Sequence, residues 1–168
     1  MRIGTWNLAG RWDSRHKHLM SQQNCDVWLL TEVSERLALA SYVKHQTMDS
    51  MAQDRRWAAI LSRQPLVALA DPHPASALAS VGNLLFCSSI LPWRSCGGQP
   101  PWDGDRHADR TRATLGKLLG VLPQSGLVWG GDWNHALTGK EFVGSQGGRS
   151  HILAAIKTLG LQVPTESL

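Results

Sequence analysis

The sequence predicts an α/β fold, or a layered α+β sandwich with helices outside the sheets. Two observations carry this. Apolar runs of strand length recur at residues 26–31 (DVWLLT), 57–61 (WAAIL), 83–90 (NLLFCSSI) and 127–131 (LVWGG), and helical segments at 14–23, 105–119 and 150–159 alternate with them. The composition does not change along the chain, and no linker, repeat or low-complexity tract divides it, so a single domain over residues 1–168 is expected.

Residues 2–6 alternate polar and apolar side chains and end at Asn7, a strand running into a loop. Asp13 or Ser14 can cap the helix over 14–23. Residues 26–31 read as a buried strand with Glu32 at its C-terminal end. Residues 34–40 read as one or two helical turns and 42–46 as a weakly alternating strand. Residues 57–61 form a strand, 62–65 (SRQP) a turn, and 66–69 the returning hairpin partner. Residues 71–74 are a proline-containing loop and 83–90 another buried strand. The Gly- and Pro-rich stretch 92–105 is the longest loop. The helix over 105–119 sets Ala108, Leu115, Leu118 and Leu119 on one apolar face. Residues 127–131 are a strand, and the helix over 150–159 ends at Gly160.

A hydrophobic content of 42% supports a real core, and 17 Lys and Arg against 13 Asp and Glu favour anionic partners such as phosphates or nucleic acid. Cys25, Cys87 and Cys96 are an odd, sparse set without CxxC spacing, which predicts reduced thiols, a cytoplasmic setting and no metal–thiolate cluster. The N-terminus has no signal-peptide pattern, and the first strand is expected to start at the chain's beginning. No apolar run approaches the ~18 residues that a membrane span needs.

Four acid or amide residues fall at predicted strand ends: Asn7 in TWNL, Glu32 in LLTEV, and Asp132 with Asn134 in GGDWN. The C-terminal ends of strands are where sheets host ligands. A hard cation such as Mg²⁺ takes oxygen ligands, commonly one or two carboxylates plus water. Glu32 can supply a carboxylate, and Asn7 can supply an amide oxygen or hold Glu32 and a phosphate in place. Asp132 can act as base for an attacking water, and Asn134 can orient that water or the phosphate. Asp132 and Asn134 are two apart and would share one strand face. Gly130 and Gly131 remove side-chain bulk, so backbone or substrate can approach closely. Singly, each residue also suits an ordinary turn or a solvated strand cap. The conjunction, in this order, points to chemistry.

IGTWNLAG, DVWLLTEV and VWGGDWNHAL are similar to three successive motifs of the endonuclease/exonuclease/phosphatase family, and AAILSRQPL and LLFCSSILPW fall where that family places central strands. The resemblance runs from residue 2 to the region of Gly160. It implies a four-layer αββα sandwich and a hydrolase of phosphate esters, foremost a nuclease-like phosphodiesterase, dependent on Mg²⁺ with Mn²⁺ as a substitute. Asn7 and Glu32 would be metal-side residues. Asp132 and Asn134, with Asn7, would position the nucleophilic water and the phosphate.

The sequence departs from the family pattern twice. Ile90 stands where the family has His or Tyr, and an isoleucine cannot donate to a phosphate or oxyanion. The family's terminal Asp-His pair is absent from the sequence, which implies a C-terminally short member lacking the last strands. An unpaired sheet edge would follow, and with it self-association as a homo-oligomer. Two readings stay open: an active hydrolase, or a catalytically impaired relative that binds phosphate ligands or a partner chain without turnover.

Substrate contacts are expected around the long loop. Trp93, Arg94, Trp102, Arg106, Arg110 and Arg112 combine arginine with tryptophan, which suits phosphate contact and base stacking. Arg106 and Arg110, beside Asp105 and Asp109, equally describe a solvated helix face. His135 is the nearest substitute for the absent histidine, although strand alternation turns it from Asn134. His107 and His151 are expected in solvent. Trp28, Trp57 and Trp129 are expected in the core, and Trp6, Trp12, Trp93, Trp102 and Trp133 near a cleft.

Overall fold

The computed structural model describes residues 1–164. Among them run β1 (Ile3–Asn7), α1 (Ser14–Gln23), β2 (Val27–Ser34), β3 (Val43–Gln46), β4 (Ser50–Ala52), β5 (Arg55–Ser62), β6 (Leu66–Ala68), β7 (Ser76–Val81), β8 (Leu84–Ile90), α2 (His107–Leu119), β9 (Leu127–Asp132) and α3 (Gln146–Leu159). The expected mixed α/β class is found, with two sheets and three helices. The chain forms two compact units. One comprises Met1–Ile90 with Val128–Asp132, the other Leu91–Leu127 with the residues from Trp133 on.

In the first unit, one sheet has the order β1-β2-β5-β3, with β4 also on β5, and the other has β6-β7-β8-β9. β1 and β2 are parallel, so Asn7 lies opposite Thr31, and β5 runs antiparallel to β2. The run VWLL is apolar throughout because both of its faces are covered. Trp28 and Leu30 join a cluster with Leu8, Met20 of α1 and Leu61. Val27 and Leu29 point the other way, into a cluster with Ala58, Ile60, Ala77, Ala79, Val81 and Phe86 that fills the space between the sheets. Ser88 Oγ donates to the Leu30 carbonyl (2.9 Å) across that space. Asp13 caps α1 by accepting from Arg15 N and His16 N, and the helix closes on left-handed Asn24.

The structure corrects the local expectations at several points. Residues 34–40 are not helical: β2 continues to Ser34, and the following turn is held by buried Leu37 and Leu39. Lys44 Nζ donates to the Leu37 carbonyl (2.8 Å) and Gln46 Nε2 to the Ser34 carbonyl (3.0 Å). The turn at 62–65 does not close a hairpin, because β6 crosses to the second sheet and pairs with β7. β7 itself, the small-residue segment SALASV, and the short β4 add strands that the apolar runs did not announce.

In the second unit α2 and α3 pack together so closely that a side chain on Gly147 would meet the Ala108 Cβ (2.9 Å). α3 starts at Gln146, earlier than expected, because Ser145 accepts from Gly148 N (3.1 Å) and caps it. α2 buries His107, Arg110, Thr111, Thr114, Leu115 and Leu118, a helical stripe that is mostly polar. His107 is therefore buried rather than solvated. No helix among the described residues is long and apolar enough to cross a membrane.

Candidate active site

Three predicted residues meet in the first unit. β1 ends on Asn7, β2 carries Glu32 near its end, and β9 ends on Asp132. Asn7 Nδ2 donates to Glu32 Oε1 (2.9 Å) and to Asp132 Oδ2 (2.8 Å), and Asn7 Oδ1 accepts from Ala9 N (2.9 Å). These contacts orient the amide, since turning it over would set its oxygen against two carboxylates. One side chain thereby holds two acids side by side, and the Asn7–Asp132 contact closes a sequence separation of 125 residues.

The backbone is bent to make this possible. Carbonyls alternate sides along a regular strand. Here the carbonyls of Thr31 and Glu32 both accept from the segment after β1, from Leu8 N (2.9 Å) and Gly10 N (2.7 Å). Glu32 pays for that turn with φ +48, a left-handed conformation that a residue with a Cβ adopts only under constraint. Ahead of Asp132, Gly131 has φ +124, and a Cβ there would run into the backbone of Ser89. A Cβ on Gly130 would lie 2.9 Å from Leu29 Cδ1. The two glycines thus let β9 sit close enough to bring Asp132 to Asn7.

Arg55, at the start of β5, adds a positive charge. Its Nη1 stands 3.9 Å from Glu32 Oε2, and its side chain is 43% exposed against 24% for Glu32. Nothing in the sequence pattern marks it, since DRRW reads as a turn entering a strand.

The donor set is two carboxylates and an amide, all hard oxygens. Among the described residues no three His, Cys, Asp or Glu side chains gather into a metal cage. Two acids held together are a like-charge pair that a cation relieves. A Mg²⁺-type ion, which keeps several waters and takes few protein ligands, fits this set.

The other predicted residues lie in the second unit. β9 ends at Asp132 and Asn134 has φ +54, so strand alternation does not extend to it. Asn134 Nδ2 donates to the Leu91 carbonyl (3.0 Å). His135 Nδ1 donates to the Trp133 carbonyl (2.7 Å), and its ring centroid lies 5.0 Å from that of His107. His107 Nε2 donates to the Pro92 carbonyl (3.0 Å), which leaves Nδ1 to accept from Ser145 Oγ (2.8 Å). Burial pushes the pKa of both histidines down, with Arg110 and Arg94 adding to it at His107, and His107 and Arg149 at His135. Trp93 meets Trp102 edge-on at 6.0 Å, and Trp102 is only 4% exposed, a core residue rather than a cleft lining. Arg94 Nε donates to the Gly144 carbonyl (2.9 Å). Arg106 is 84% exposed and pairs with Asp109 (3.0 Å), a solvated helix face. Arg110, by contrast, is buried and holds the preceding loop through the carbonyls of Gly104 and Asp105.

A residue that sequence reasoning missed organises the loop after Asn134. Glu141 Oε1 accepts from Gly144 N (2.8 Å), and Oε2 accepts from Ala136 N (3.1 Å) and lies 3.6 Å from Arg149 Nη2. Burial opposes its ionisation, but those amides, with His135 and Arg149 nearby, hold its carboxyl below the usual range. A glutamate in a polar loop gives no sequence signal of burial.

No protein-family model matches the sequence, and no curated protein matches it. Solved structures do match. The endonuclease domain of TRAS1, a telomere-specific non-LTR retrotransposon, aligns with 98% of this chain and 75% of its own length, at TM-score 0.74 and 14% identity. A humanized D. rerio TDP2 carrying 14 mutations aligns with 98% of this chain and 68% of its own, at TM-score 0.49 and 13% identity. The chain therefore has a fold of the endonuclease/exonuclease/phosphatase type.

Proposed function

We propose that this chain is a metal-dependent hydrolase of phosphate esters, specifically a nuclease-like phosphodiesterase. The observation that carries the reading is the Asn7 amide bridging the carboxylates of Glu32 and Asp132 at adjoining strand ends. Glu32, with the second lone pair of the Asn7 amide oxygen, would hold Mg²⁺ or Mn²⁺. A bound cation supplies charge neutralisation at the phosphoryl oxygens and the leaving oxygen. Asp132 takes the proton of a water that attacks phosphorus in line as the ester P–O bond breaks. Asn7 keeps the two acids in register, so that one can bind while the other accepts a proton.

Asn134 is assigned from the sequence to orienting the water or phosphate, and Trp93, Arg94, Arg106 and His135 to substrate contact. Trp102 would join them only if its loop opened, given its burial. Nucleic acid is the substrate class favoured by the basic excess of 17 over 13 and by the fold likeness to an endonuclease domain. Three free cysteines support a cytoplasmic setting. Self-association through an open sheet edge belongs to the same proposal, and light scattering tests it.

Ile90 favours a second reading. It ends β8 fully buried at 1% exposure and offers no donor to a phosphate, as expected of a relative that binds phosphate ligands without turnover. One experiment separates the two: hydrolysis of a generic phosphodiester with Mg²⁺ by the wild type, Glu32→Ala and Asn134→Ala. Metal-dependent turnover that Glu32→Ala abolishes supports the hydrolase. Equal turnover in wild type and Glu32→Ala rules it out, and saturable binding with no turnover selects the second reading.

A further inference from the structure

We infer that Arg55 is the receptor for the substrate phosphate at this centre, an assignment that rests on the phosphoesterase reading and names a further residue for it. Two arginines open β5, and only one is consumed by the fold. Arg56 pairs through Nη2 with Glu35 (2.8 Å) and donates through Nη1 to the Met48 carbonyl. Arg55 has a single ion-pair partner among the described residues, Glu32 at 3.9 Å, which is beyond hydrogen-bonding distance. Its guanidinium therefore stands beside the acid pair with donors unspent and 43% of the side chain exposed.

The group is also held in place. It lies across Gly10, where a Cβ would fall on Arg55 Nε and sit 2.5 Å from Cζ and 2.8 Å from Cδ. Gly10 itself is pinned by its hydrogen bond to the Glu32 carbonyl (2.7 Å) and by a φ of +71 that glycine alone adopts freely. The same segment that turns Glu32 out of its strand thus seats the guanidinium beside it. A fixed cation next to a cation-binding carboxylate weakens metal binding while no anion is present. It becomes favourable once a phosphate bridges the two charges, and the planar fork of arginine suits two phosphate oxygens.

The test is calorimetric titration of the full chain with Mg²⁺ alone, then with inorganic phosphate at saturating Mg²⁺, for wild type, Arg55→Met and Arg55→Lys. In parallel, KM and kcat are measured on a short phosphodiester oligonucleotide, with Tm as the folding control. Arg55→Met should bind Mg²⁺ as tightly as wild type or more tightly, yet bind phosphate about tenfold or more weakly, the loss expected for a charge-assisted hydrogen bond. KM should rise in step while Tm holds, and Arg55→Lys should recover part of the affinity. Unchanged phosphate affinity in Arg55→Met overturns the inference, as does a parallel loss of Mg²⁺, which would make Arg55 a mere support for Glu32. Weaker phosphate binding in a protein whose wild type turns nothing over upholds Arg55 and sinks the hydrolase reading alone.

Discussion

Replacing Glu32 by glycine and by alanine separates the backbone cost of the site from its chemistry. Both variants lose the same carboxylate, with its hydrogen bond from Asn7 and its approach to Arg55. They differ only in what the left-handed backbone at φ +48 demands. A non-glycine residue there costs about 1–2 kcal/mol. Glycine escapes that cost but gives up to ~1 kcal/mol back through the extra freedom of the unfolded chain. Glu32→Gly should therefore be more stable than Glu32→Ala by about 0.5–1 kcal/mol, roughly 1–4 °C in Tm for a chain of this size. Differential scanning calorimetry in EDTA measures the difference. Repeating the scan with Mg²⁺ reads the chemistry: at about 100 times its Kd, a ligand of the native state adds ~2.7 kcal/mol. That rise should appear for wild type and for neither variant. An alanine variant as stable as the glycine variant would refute the argument that the site stores backbone strain.

Three further outcomes follow from the geometry. Asn7→Ala leaves the two carboxylates without their shared donor (2.9 and 2.8 Å), so it should cost about 2–3 kcal/mol by chemical denaturation and weaken Mg²⁺ binding. A loss below ~0.5 kcal/mol would show that the bridge does not hold the site. A Cβ on Gly148 would strike His135 Nε2 and come within 3.0 Å of His107 Cε1, so Gly148→Ala should destabilise by about 1–3 kcal/mol, and adding His135→Ala should recover most of it. Additive losses in that double variant would contradict the contact. His107 and His135 both have pKa values lowered from 6.5 by burial, so the native state binds fewer protons than the unfolded chain. Their stabilisation is complete above 6.5 and is lost as pH falls through the lowered values. Tm should decline over that window, and His107→Gln with His135→Gln should flatten the decline; an unchanged slope would refute the assignment.

The parts of the fold that were legible in the sequence are those where pattern and packing agree. DVWLLT reads as a strand covered on two sides because Val27 and Leu29 face one cluster while Trp28 and Leu30 face the other. β7 was not legible because SALASV, Val81 apart, is made of residues with weak strand preference, selected by the thin space between the sheets, where Ala77 and Ala79 are fully buried. The start of α3 was hidden by Gly147 and Gly148, which read as a break although Ser145 caps the helix just before them. Asn7, Glu32 and Asp132 could be picked out because strand ends are where acids and amides stand out against apolar runs. The turn that aims Glu32 could not, since it depends on Gly10 reaching the carbonyl from another strand. Arg110 and His107 were misplaced for a related reason: long polar side chains enter a core only when backbone carbonyls are waiting for them, as those of Gly104, Asp105 and Pro92 are.

The span of 125 residues between Asn7 and Asp132 also sets an order of events during synthesis. β1, β2 and β5 can pair as soon as they leave the ribosome, since all three lie within residues 3–62. At that stage the nascent protein carries one acid of the pair and a guanidinium that offsets it. The second acid is translated on β9, the last strand of either sheet among the described residues, so the two carboxylates can meet only after the chain has been made through Asp132.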